Sequence, residues 1–378
     1  DLHSFPTRRS SDLLSKVKTM GKMKKEKVLI AMSGGVDSSV AAYMMKKNGR
    51  ECIGVTMKLC DGDYGSNEDR NVCCSREDIA DARMVASKLD MPHHVLNFKD
   101  DFKEKVIDRF IAAYERGDTP NPCIYCNRYI KFAKLYKSAA DTGCDHIVTG
   151  HYVRLEEKGG RMLMRKALDL NKDQSYMLYM MKQEELRHTY FPLGDMEKDE
   201  TRKLAEKAGL VTAAKHDSQD ICFVPDGDYA SFIEHINGRK YASGNFIDAD
   251  GNVIGTHRGI IRYTLGQRKG LGIALGKPVF VVDKNIEENT VTLGSNDDLF
   301  SRQFEVHELN WISFDEPPEA FRAKVKVRYR QQEQLASVTV TGEDKVCVVF
   351  DEPQRAVTHG QSAVFYDGEY VLGGGIIR

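Results

Sequence analysis

Apolar and polar positions in the first part of the chain follow two alternating patterns. Short apolar runs, typical of strands buried on both faces, are separated by longer segments whose apolar side chains recur every three or four residues, as in amphipathic helices. Strands are predicted at Val28–Met32, Cys52–Met57, His94–Phe98 and Ile147–Val148, and helices at Ser38–Lys47, Arg76–Leu89, Asp101–Arg116 and Arg128–Ala140. Strands that alternate with helices predict an α/β fold, with a parallel sheet covered on both faces.

The pattern changes near Asp220 to short segments in which every second residue is apolar. "FIDADGNVIGTH" predicts a hairpin with its turn at Asp250-Gly251, "VFVVDKNIEENTVTLG" predicts another, and alternating strands continue from about Ser301. We therefore expect an α/β domain at residues 23–226, a central β domain at 227–298 and a small C-terminal β-barrel or sandwich at 299–378. Residues 1–22, which begin "DLHSFPTRRS", match none of these patterns and are expected to be a non-native or disordered tail.

Composition excludes few classes of protein. The chain is 41% hydrophobic and 29% charged with a net charge of −1, which neither requires nor rules out a nucleic-acid partner. No apolar run approaches the roughly 18–20 residues of a membrane span, so no membrane association is expected. Nine irregularly spaced cysteines predict reduced thiols in the cytoplasm rather than a disulfide framework.

The turn after the first predicted strand, Ser33-Gly34-Gly35-Val36-Asp37-Ser38, is suited to an anion. Its glycines permit a sharp turn and close approach to the backbone, and the N-terminus of the following helix adds N–H donors and a favourable dipole. The serines can donate hydroxyl hydrogen bonds, and Asp37 is a candidate Mg²⁺ ligand. The alternative is a plain strand–turn–helix connection. No Lys follows the glycines, so the turn is not a Walker A loop.

The stretch "SGGVDS" resembles the PP-loop of ATP pyrophosphatases. That resemblance implies ATP as a cofactor, with its pyrophosphate end on the turn and AMP transferred to an oxygen of the substrate. The acceptor is left open.

"TPNPCIYCNRYIKF" places Cys123 and Cys126 in a C-x-x-C pattern where a helix begins. The pattern alone fits a redox pair, half of a zinc site or iron–sulfur ligation. A helix N-terminus with Arg128 and Lys131 nearby favours a thiolate at Cys126. A third thiol, Cys222 in "HDSQDICFVPDGDY", is predicted to lie on an exposed loop.

Taken together, the motifs resemble those of the tRNA-specific 2-thiouridylase (MnmA/TrmU) family. They are "AMSGGVDSSVAA", "GVTMK", "TPNPCIYCNRYIKF", "TGHYVR", "KDQSYML", "HDSQDICFV", "YTLGQRKGLG", "KVRYR" and "GQSAVFYDGEYVLGGG", and they span the chain from about Lys24. The resemblance implies a Rossmann-like PP-loop domain with a tRNA-contacting helical segment, followed by two small β-rich domains. It also implies ATP-dependent thiolation at C2 of the wobble uridine of tRNA, in which ATP adenylates uracil O2 and sulfur then displaces AMP.

Roles for individual residues follow from this resemblance only. Cys126 matches the catalytic nucleophile and Cys222 the residue that carries a persulfide. ATP contacts are implied for Ala31, Met32, Ser33, Gly34, Gly35, Val36, Asp37, Ser38, Met57 and Gly150. Contacts to the target base are implied for Asn121, Pro122 and Cys123, and contacts to tRNA for His151, Lys172, Asp173, Gln174, Arg328, Tyr329 and Gln361.

The residue pattern adds two basic stretches that suit RNA. Alternation in "KVKVRYR" predicts Lys324, Lys326, Arg328 and Arg330 on one face of a strand, where they could track phosphates. Arg268 and Lys269 stand in the glycine-rich "YTLGQRKGLG". In each case a solvated basic face is the alternative.

Cys123 is a departure, because many members of the family have Asp at this position. Three thiols, Cys123, Cys126 and Cys222, could ligate a [4Fe–4S] cluster that holds sulfide on its open iron. We adopt the persulfide scheme, in which the Cys126–Cys222 pair closes to a disulfide as sulfur leaves, and keep the cluster as the alternative. The implied partners are tRNAs for Lys, Glu and Gln, and a cysteine desulfurase or sulfur relay protein.

Two further hypotheses stay open at this stage. One is a different PP-loop adenylating enzyme, which would exchange ATP with pyrophosphate in the absence of tRNA. The other is a non-enzymatic RNA-binding or iron–sulfur sensor, which would release no AMP.

Overall fold

A computed structural model of the chain describes residues 25–60, 75–217, 221–224 and 227–378. The tail predicted at residues 1–22 lies outside these ranges. Within them, no helix combines the length and the apolar character needed to cross a membrane.

Five strands form a parallel sheet in the first domain. They are β1 (Lys27–Ala31), β2 (Glu51–Lys58), β3 (His93–Asn97), β4 (His146–Val148) and β7 (Thr189–Tyr190), in the order β3-β2-β1-β4-β7. Every neighbouring pair is parallel. Alternate residues of the central strand pack into separate apolar clusters, Leu29 into one and Val28 and Ile30 into another, so both faces of the sheet are covered.

Ten α-helices occur in the described ranges, and most lie in the first domain. They are α1 (Val36–Lys47), α2 (Arg76–Lys88), α3 (Lys99–Phe102), α4 (Asp108–Glu115), α5 (Pro122–Tyr125), α6 (Ala133–Asp141), α7 (Ser175–Leu178), α8 (Gln183–Arg187), α9 (Lys198–Lys207) and α10 (Tyr229–Asn237). π-Helical turns at Lys103–Ile107 and Cys126–Phe132 join α3 to α4 and α5 to α6. Each of these two pairs is therefore one continuous rod with a local widening.

The rest of the chain is built from two β-sheets. The central sheet contains β8 (Gly244–Ile247), β9 (Val253–His257), β10 (Phe280–Asn285) and β11 (Thr290–Gly294), in the order β10-β11-β8-β9. The third sheet contains β5 (Val153–Lys158), β6 (Arg161–Lys166), β12 (Phe300–Trp311), β13 (Ala320–Lys326), β14 (Gln334–Gly342), β15 (Lys345–Arg355), β16 (Ser362–Asp367) and β17 (Tyr370–Ile377). Short 3-10 turns lie at Ile260–Arg262 and Asp297–Leu299.

The predicted fold class is confirmed: a parallel α/β domain is followed by two β-rich domains. Both predicted hairpins of the central sheet form, β8 with β9 and β10 with β11. In the third sheet β12 pairs with both β15 and β17, so six of its strands close into a barrel.

The hairpin β5–β6 belongs to the first domain by sequence but extends the sheet of the barrel. Its strand β6 pairs with β17 through Arg165 and Tyr370. Arg161 then crosses to the barrel, where its Nε lies 2.5 Å from the carbonyl oxygen of Ile312 and its guanidinium also reaches the carbonyls of Trp311 and Phe314. The first domain and the barrel are thus joined through backbone pairing as well as side chains.

One apolar cluster also joins the first domain to the central domain. It contains Phe110 and Cys126 from the helical rods, Phe223 from the segment around Cys222, and Phe246 and Val281 from the central sheet. Phe223 and Phe110 meet edge to face, with ring centroids 5.3 Å apart.

The predicted basic face of "KVKVRYR" is wrong, because β13 ends at Lys326. Of the four side chains only Lys324 and Arg330 are exposed. Burial lowers the pKa of the Lys326 amine, which faces the carboxylates of Asp173 and Glu333. A period-two pattern cannot show where a strand ends, and here a turn redirects the last two residues.

Candidate active site

The predicted nucleotide turn lies between β1 and α1, where parallel strands commonly bind ligands. Gly34 has a φ of +75°, and a Cβ at this residue would stand 2.3 Å from the carbonyl oxygen of Asp78, so only glycine fits. Gly35 is the N-cap residue of α1, and within the described ranges no side chain caps this helix. The first N–H groups of α1 therefore point toward the space before the helix, as an anion site requires.

The other predicted ATP residues lie at the same edge of the sheet. Ala31, Met57 and Gly150 stand at or just beyond the carboxyl ends of the adjacent strands β1, β2 and β4. Gly150 presses directly on the turn, because a Cβ there would lie 2.7 Å from the carbonyl carbon of Asp37 and from the amide nitrogen of Ser38. The structure thus brings together residues that are separated by more than a hundred positions.

Asp37 is engaged by a buried lysine that the sequence did not single out. Nζ of Lys198 lies 2.6 Å from Oδ1 and 2.8 Å from Oδ2 of Asp37. The hydroxyl of Tyr152 donates to Oδ1 at 2.8 Å. Burial raises the pKa of Tyr152 and the charge of Asp37 raises it further, so the phenol stays a donor. With both oxygens accepting from an ammonium, Asp37 does not fit the expected role of a Mg²⁺ ligand in this conformation.

Lys198 extends the contact to a second carboxylate. Its Nζ lies 2.8 Å from Oδ1 of Asp217, which also binds Arg202 at 2.9 Å, while Oδ2 of Asp217 binds Lys172 at 2.8 Å. Burial alone would raise the pKa of Asp217, but Lys172 and Lys198 outweigh it and hold the pKa below its ordinary value. Acidic and basic side chains therefore alternate in a network that connects the nucleotide turn to the start of the "HDSQDICFV" segment.

The predicted base-binding segment leads into α5. Oδ1 of Asn121 accepts from the amide of Cys123 at 3.1 Å, and Pro122 occupies the first helical position, where no N–H is needed. Nδ2 of Asn121 also lies 3.4 Å from Sδ of Met177. This cap fixes the orientation of Cys123 at the start of the helical rod.

Cys126 and Cys222 pack on one apolar cluster, against which Met57 also packs. Cys126 is 7% exposed and begins the π-helical turn, a distortion that frequently marks functional sites. Cys222 lies in a turn and is half-buried, so the prediction of an exposed loop is wrong; its neighbour Phe223 packs into the core and draws it inward.

The three thiols do not fit an iron–sulfur cluster in this conformation. Among the described residues, which include Cys123, Cys126 and Cys222, no three His, Cys, Asp or Glu side chains converge as a metal-holding group. Cys123 instead lies toward the barrel side, close enough to Tyr329 to influence that phenol. Burial raises the pKa of Tyr329 most, and Asp173 and Cys123 add to the rise.

The predicted RNA contacts around residue 173 are partly turned inward. Asp173 is buried, where its carboxylate accepts from the amide of Ala167 at 2.9 Å and from the hydroxyl of Ser175 at 2.6 Å. Oε1 of Gln174 accepts from the amide of Tyr152 at 2.9 Å. Their role as RNA contacts stays a prediction. The structure shows in addition that the hydrogen bond from Tyr152 to Gln174 joins this loop to the "TGHY" loop.

His151 follows Gly150 and is also held internally. Its Nδ1 lies 2.7 Å from Oγ1 of Thr149, and its ring lies beside that of Phe132 with centroids 5.8 Å apart. Burial lowers the pKa of His151 well below its ordinary value, and Lys131 lowers it further. The imidazole is therefore neutral at physiological pH.

Arg328 and Gln361 lie on the barrel side. Arg328 donates to the carbonyl of Ala356 at 3.0 Å and to Oγ1 of Thr358 at 2.7 Å. Together with Arg258 and Arg262 it lines a cavity of about 450 Å³ between the barrel and the central domain, whose wall also includes Asp228, 3.8 Å from Arg262. Nε2 of Gln361 donates to the carbonyl of Thr119 at 2.6 Å, next to the base-binding segment.

Comparison with known proteins places most of the chain, from residue 26 to residue 377, in one family. Residues 26–226 match a model described as the tRNA methyl transferase HUP domain, residues 230–295 the tRNA methyl transferase PRC-barrel domain, and residues 301–377 the aminomethyltransferase beta-barrel domain. The tRNA-specific 2-thiouridylase MnmA of Clostridioides difficile (strain 630) is 50% identical over 93% of this chain and 98% of its own length.

Two further relatives bear the same name. The protein of Clostridium acetobutylicum is 48% identical over 93% of this chain and 99% of its own length. That of Acetivibrio thermocellus is 48% identical over 94% of this chain and 100% of its own length. The resemblance drawn from the motifs is confirmed, and the chain belongs to the family of the tRNA-specific 2-thiouridylases MnmA.

Proposed function

We propose that this chain catalyses ATP-dependent 2-thiolation of the wobble uridine of tRNA. The observation that carries the proposal is that Cys126 and Cys222, the two predicted sulfur-handling thiols, share one apolar cluster, against which the predicted ATP contact Met57 also packs. The family model is described by methyl transfer, whereas the full-length relatives are named for thiolation. Two thiols that pack on one cluster support the sulfur chemistry.

The first step uses the edge of the parallel sheet. ATP lies with its pyrophosphate on the amides of Gly34 to Ser38, and uracil O2 attacks the α-phosphorus while pyrophosphate leaves and the N3 proton of uracil is lost to solvent. The base is turned out of the anticodon stack toward Asn121, Pro122 and Cys123, as enzymes that modify bases require. The O2-adenylate then makes C2 an electrophile with AMP as its leaving group.

The second step uses the thiol pair. The terminal sulfur of a persulfide on Cys222 attacks C2, and AMP departs with the electrons of the C2–O2 bond. The thiolate of Cys126 then attacks Sγ of Cys222, which breaks the bond to the transferred sulfur and leaves it on C2. A Cys126–Cys222 disulfide forms, and an external dithiol must reduce it before the next turnover.

We propose tRNAs for Lys, Glu and Gln as substrates and a cysteine desulfurase or a sulfur relay protein as the cytoplasmic donor. The cavity lined by Arg258, Arg262 and Arg328 supports a phosphate contact of the bound tRNA. We also propose that the domains divide at residues 226/227 and 298/299.

The test is thiolation of unmodified tRNA with ATP and a sulfur source, followed as retarded migration in a mercury-containing gel. Cys126→Ser and Cys222→Ser should abolish thiouridine formation, whereas Cys123→Ser should retain it. Cys347→Ser, in β15 of the barrel, is the matched control and should behave as the parent. A parent chain that makes no thiouridine overturns the proposal, and loss of activity in Cys123→Ser reopens the three-thiol cluster.

A further inference from the structure

The base-binding segment is fastened to the C-terminal barrel at Thr119, two residues before Asn121. The amide of Thr119 donates to the carbonyl of His359 at 2.9 Å. Its carbonyl accepts from Nε2 of Gln361 at 2.6 Å. Both backbone groups of a single residue are therefore held by the same barrel loop, which leaves the segment little freedom to slide.

A charged contact adjoins this fastening. Asp118 is 7% exposed, and its Oδ2 accepts from Nη1 of Arg378 at 2.8 Å and lies 3.3 Å from Nη2 of Arg116. Arg378 is placed for this contact by its own amide, which donates to the carbonyl of Glu305 in β12 at 2.9 Å. The carboxylate is thus held between the first domain and the barrel.

The central domain places Lys284 near the same carboxylate, without a hydrogen bond to it. Burial lowers the pKa of the Lys284 amine to about 8, and Asp118 is the larger of two carboxylates that oppose this fall. Gly117 contributes a second contact, because a Cβ there would stand 3.1 Å from Cδ1 of Ile286. All three domains therefore meet at residues 117–119.

The barrel loop at Gly360 packs directly against residues 118 and 119. At Gly360, which has a φ of +85°, a Cβ would lie 2.8 Å from Cβ of Asp118 and 3.0 Å from the amide nitrogen of Thr119. Beyond the junction, Asn121 and Asn127 are both held by Met177 of the first domain. The segment that precedes Cys123 and Cys126 is consequently fixed at both ends, by different domains.

We propose that Asp118 and Arg378 are positioning residues for sulfur transfer. Through the hydrogen bonds at Thr119, the barrel sets the position of Asn121, Pro122 and Cys123 relative to Cys126. Gln361 helps to position this segment through its hydrogen bond to Thr119, in addition to any contact with RNA. The inference rests on the proposed function. Under this proposal the barrel contributes to the rate of the chemical step as well as to RNA binding.

The test compares single-turnover thiolation at saturating tRNA and ATP in Asp118→Asn, Arg378→Gln and the double variant. Each single variant should slow the step about tenfold or more, because a small misplacement of reacting groups is costly. The double variant should be no slower than either single one, and Arg378→Lys should recover part of the rate. The dissociation constant of tRNA, measured by filter binding, should stay within about twofold of the parent value.

Arg322→Gln is the matched control, since Arg322 forms an exposed pair with Asp351 on the same barrel and should leave the rate unchanged. Gln361→Ala tests the second fastening without disturbing a buried charge and should also slow the step. Thermal melts show whether each variant is folded at the assay temperature.

Weaker tRNA binding with an unchanged saturated rate would make these residues RNA contacts and overturn the inference. Additive effects in the double variant, or full activity in folded Asp118→Asn and Gln361→Ala, would overturn it as well. A parent chain without activity would instead remove the proposed function, so the two failures are distinguishable.

Discussion

The ammonium of Lys198 is shared between both carboxylate oxygens of Asp37, at 2.6 and 2.8 Å. The side chain of Lys198 is 8% exposed, whereas that of Asp37, which belongs to the nucleotide turn, is 31% exposed. The turn that is expected to receive a polyphosphate therefore contains a carboxylate whose negative charge is already balanced.

Lys198→Gln should leave that carboxylate unbalanced beside the phosphates. A like charge a few ångströms away costs several kcal/mol at intermediate dielectric, so KM for ATP should rise by about tenfold or more. Stability should fall by about 3 kcal/mol, the low end for breaking a buried pair, because Asp37 is partly exposed. Lys207→Gln, on the exposed end of the same helix, is the control. An unchanged ATP affinity would show that Lys198 serves the fold only.

Gly150→Ala should impair nucleotide binding by sterics alone. The new methyl group would lie 2.7 Å from backbone atoms of Asp37 and Ser38, so one of the two loops must move. A displacement of about an ångström can cost on the order of a hundredfold, which we expect in kcat/KM for ATP. Gly342→Ala, where the added Cβ meets its nearest neighbour at an ordinary 3.6 Å, should have no effect. Equal activity in the two variants would contradict the close approach.

Lys284 should make stability rise with pH in the alkaline range. Its folded-state pKa is about 8 and its ordinary value 10.5, so between these values the unfolded chain binds the extra proton and folding gains stability as pH increases. The full difference corresponds to about 3 kcal/mol. Urea unfolding at pH 7.5 and 9.5 should show this rise in the parent and a flatter response in Lys284→Met. The variant should also be more stable than the parent at pH 7.5.

Arg161→Ala should loosen the barrel from the first domain. The substitution leaves the carbonyls of Trp311 and Phe314 without this donor, whereas that of Ile312 keeps Nε2 of Gln183 at 3.1 Å. Orphaned polar groups cost about 1–3 kcal/mol each, and partial access to water reduces the sum to about 3 kcal/mol. Arg161→Lys should recover only part of this in chemical denaturation, because an ammonium cannot present the same fork of donors. Full recovery of stability in Arg161→Lys would show that the positive charge, and not the geometry of the guanidinium donors, stabilises this contact.

Local sequence patterns predicted the frame of the site and missed most of its charges. The glycine turn and the start of a helix at the C-x-x-C pattern are short-range features, and both are realised in the structure. Lys198 was not predictable, because it stands 161 residues from Asp37 on a helix whose sequence shows an ordinary charged pattern. Asp118 was equally hidden, since its partner Arg378 lies 260 residues away. The prediction for Cys222 was wrong because its polar sequence neighbours suggested an exposed loop. In the structure, the burial of Phe223 holds this turn against the core.

The pairing of β6 with β17 has a consequence for synthesis on the ribosome. Arg165 emerges long before its partner Tyr370, so nearly the whole remaining chain must be translated before that edge of β6 is covered. An uncovered strand edge invites pairing with another chain, and a contact so distant in sequence forms slowly. The nascent protein therefore carries an uncovered strand edge until translation is almost complete, and chaperones should be needed in that interval.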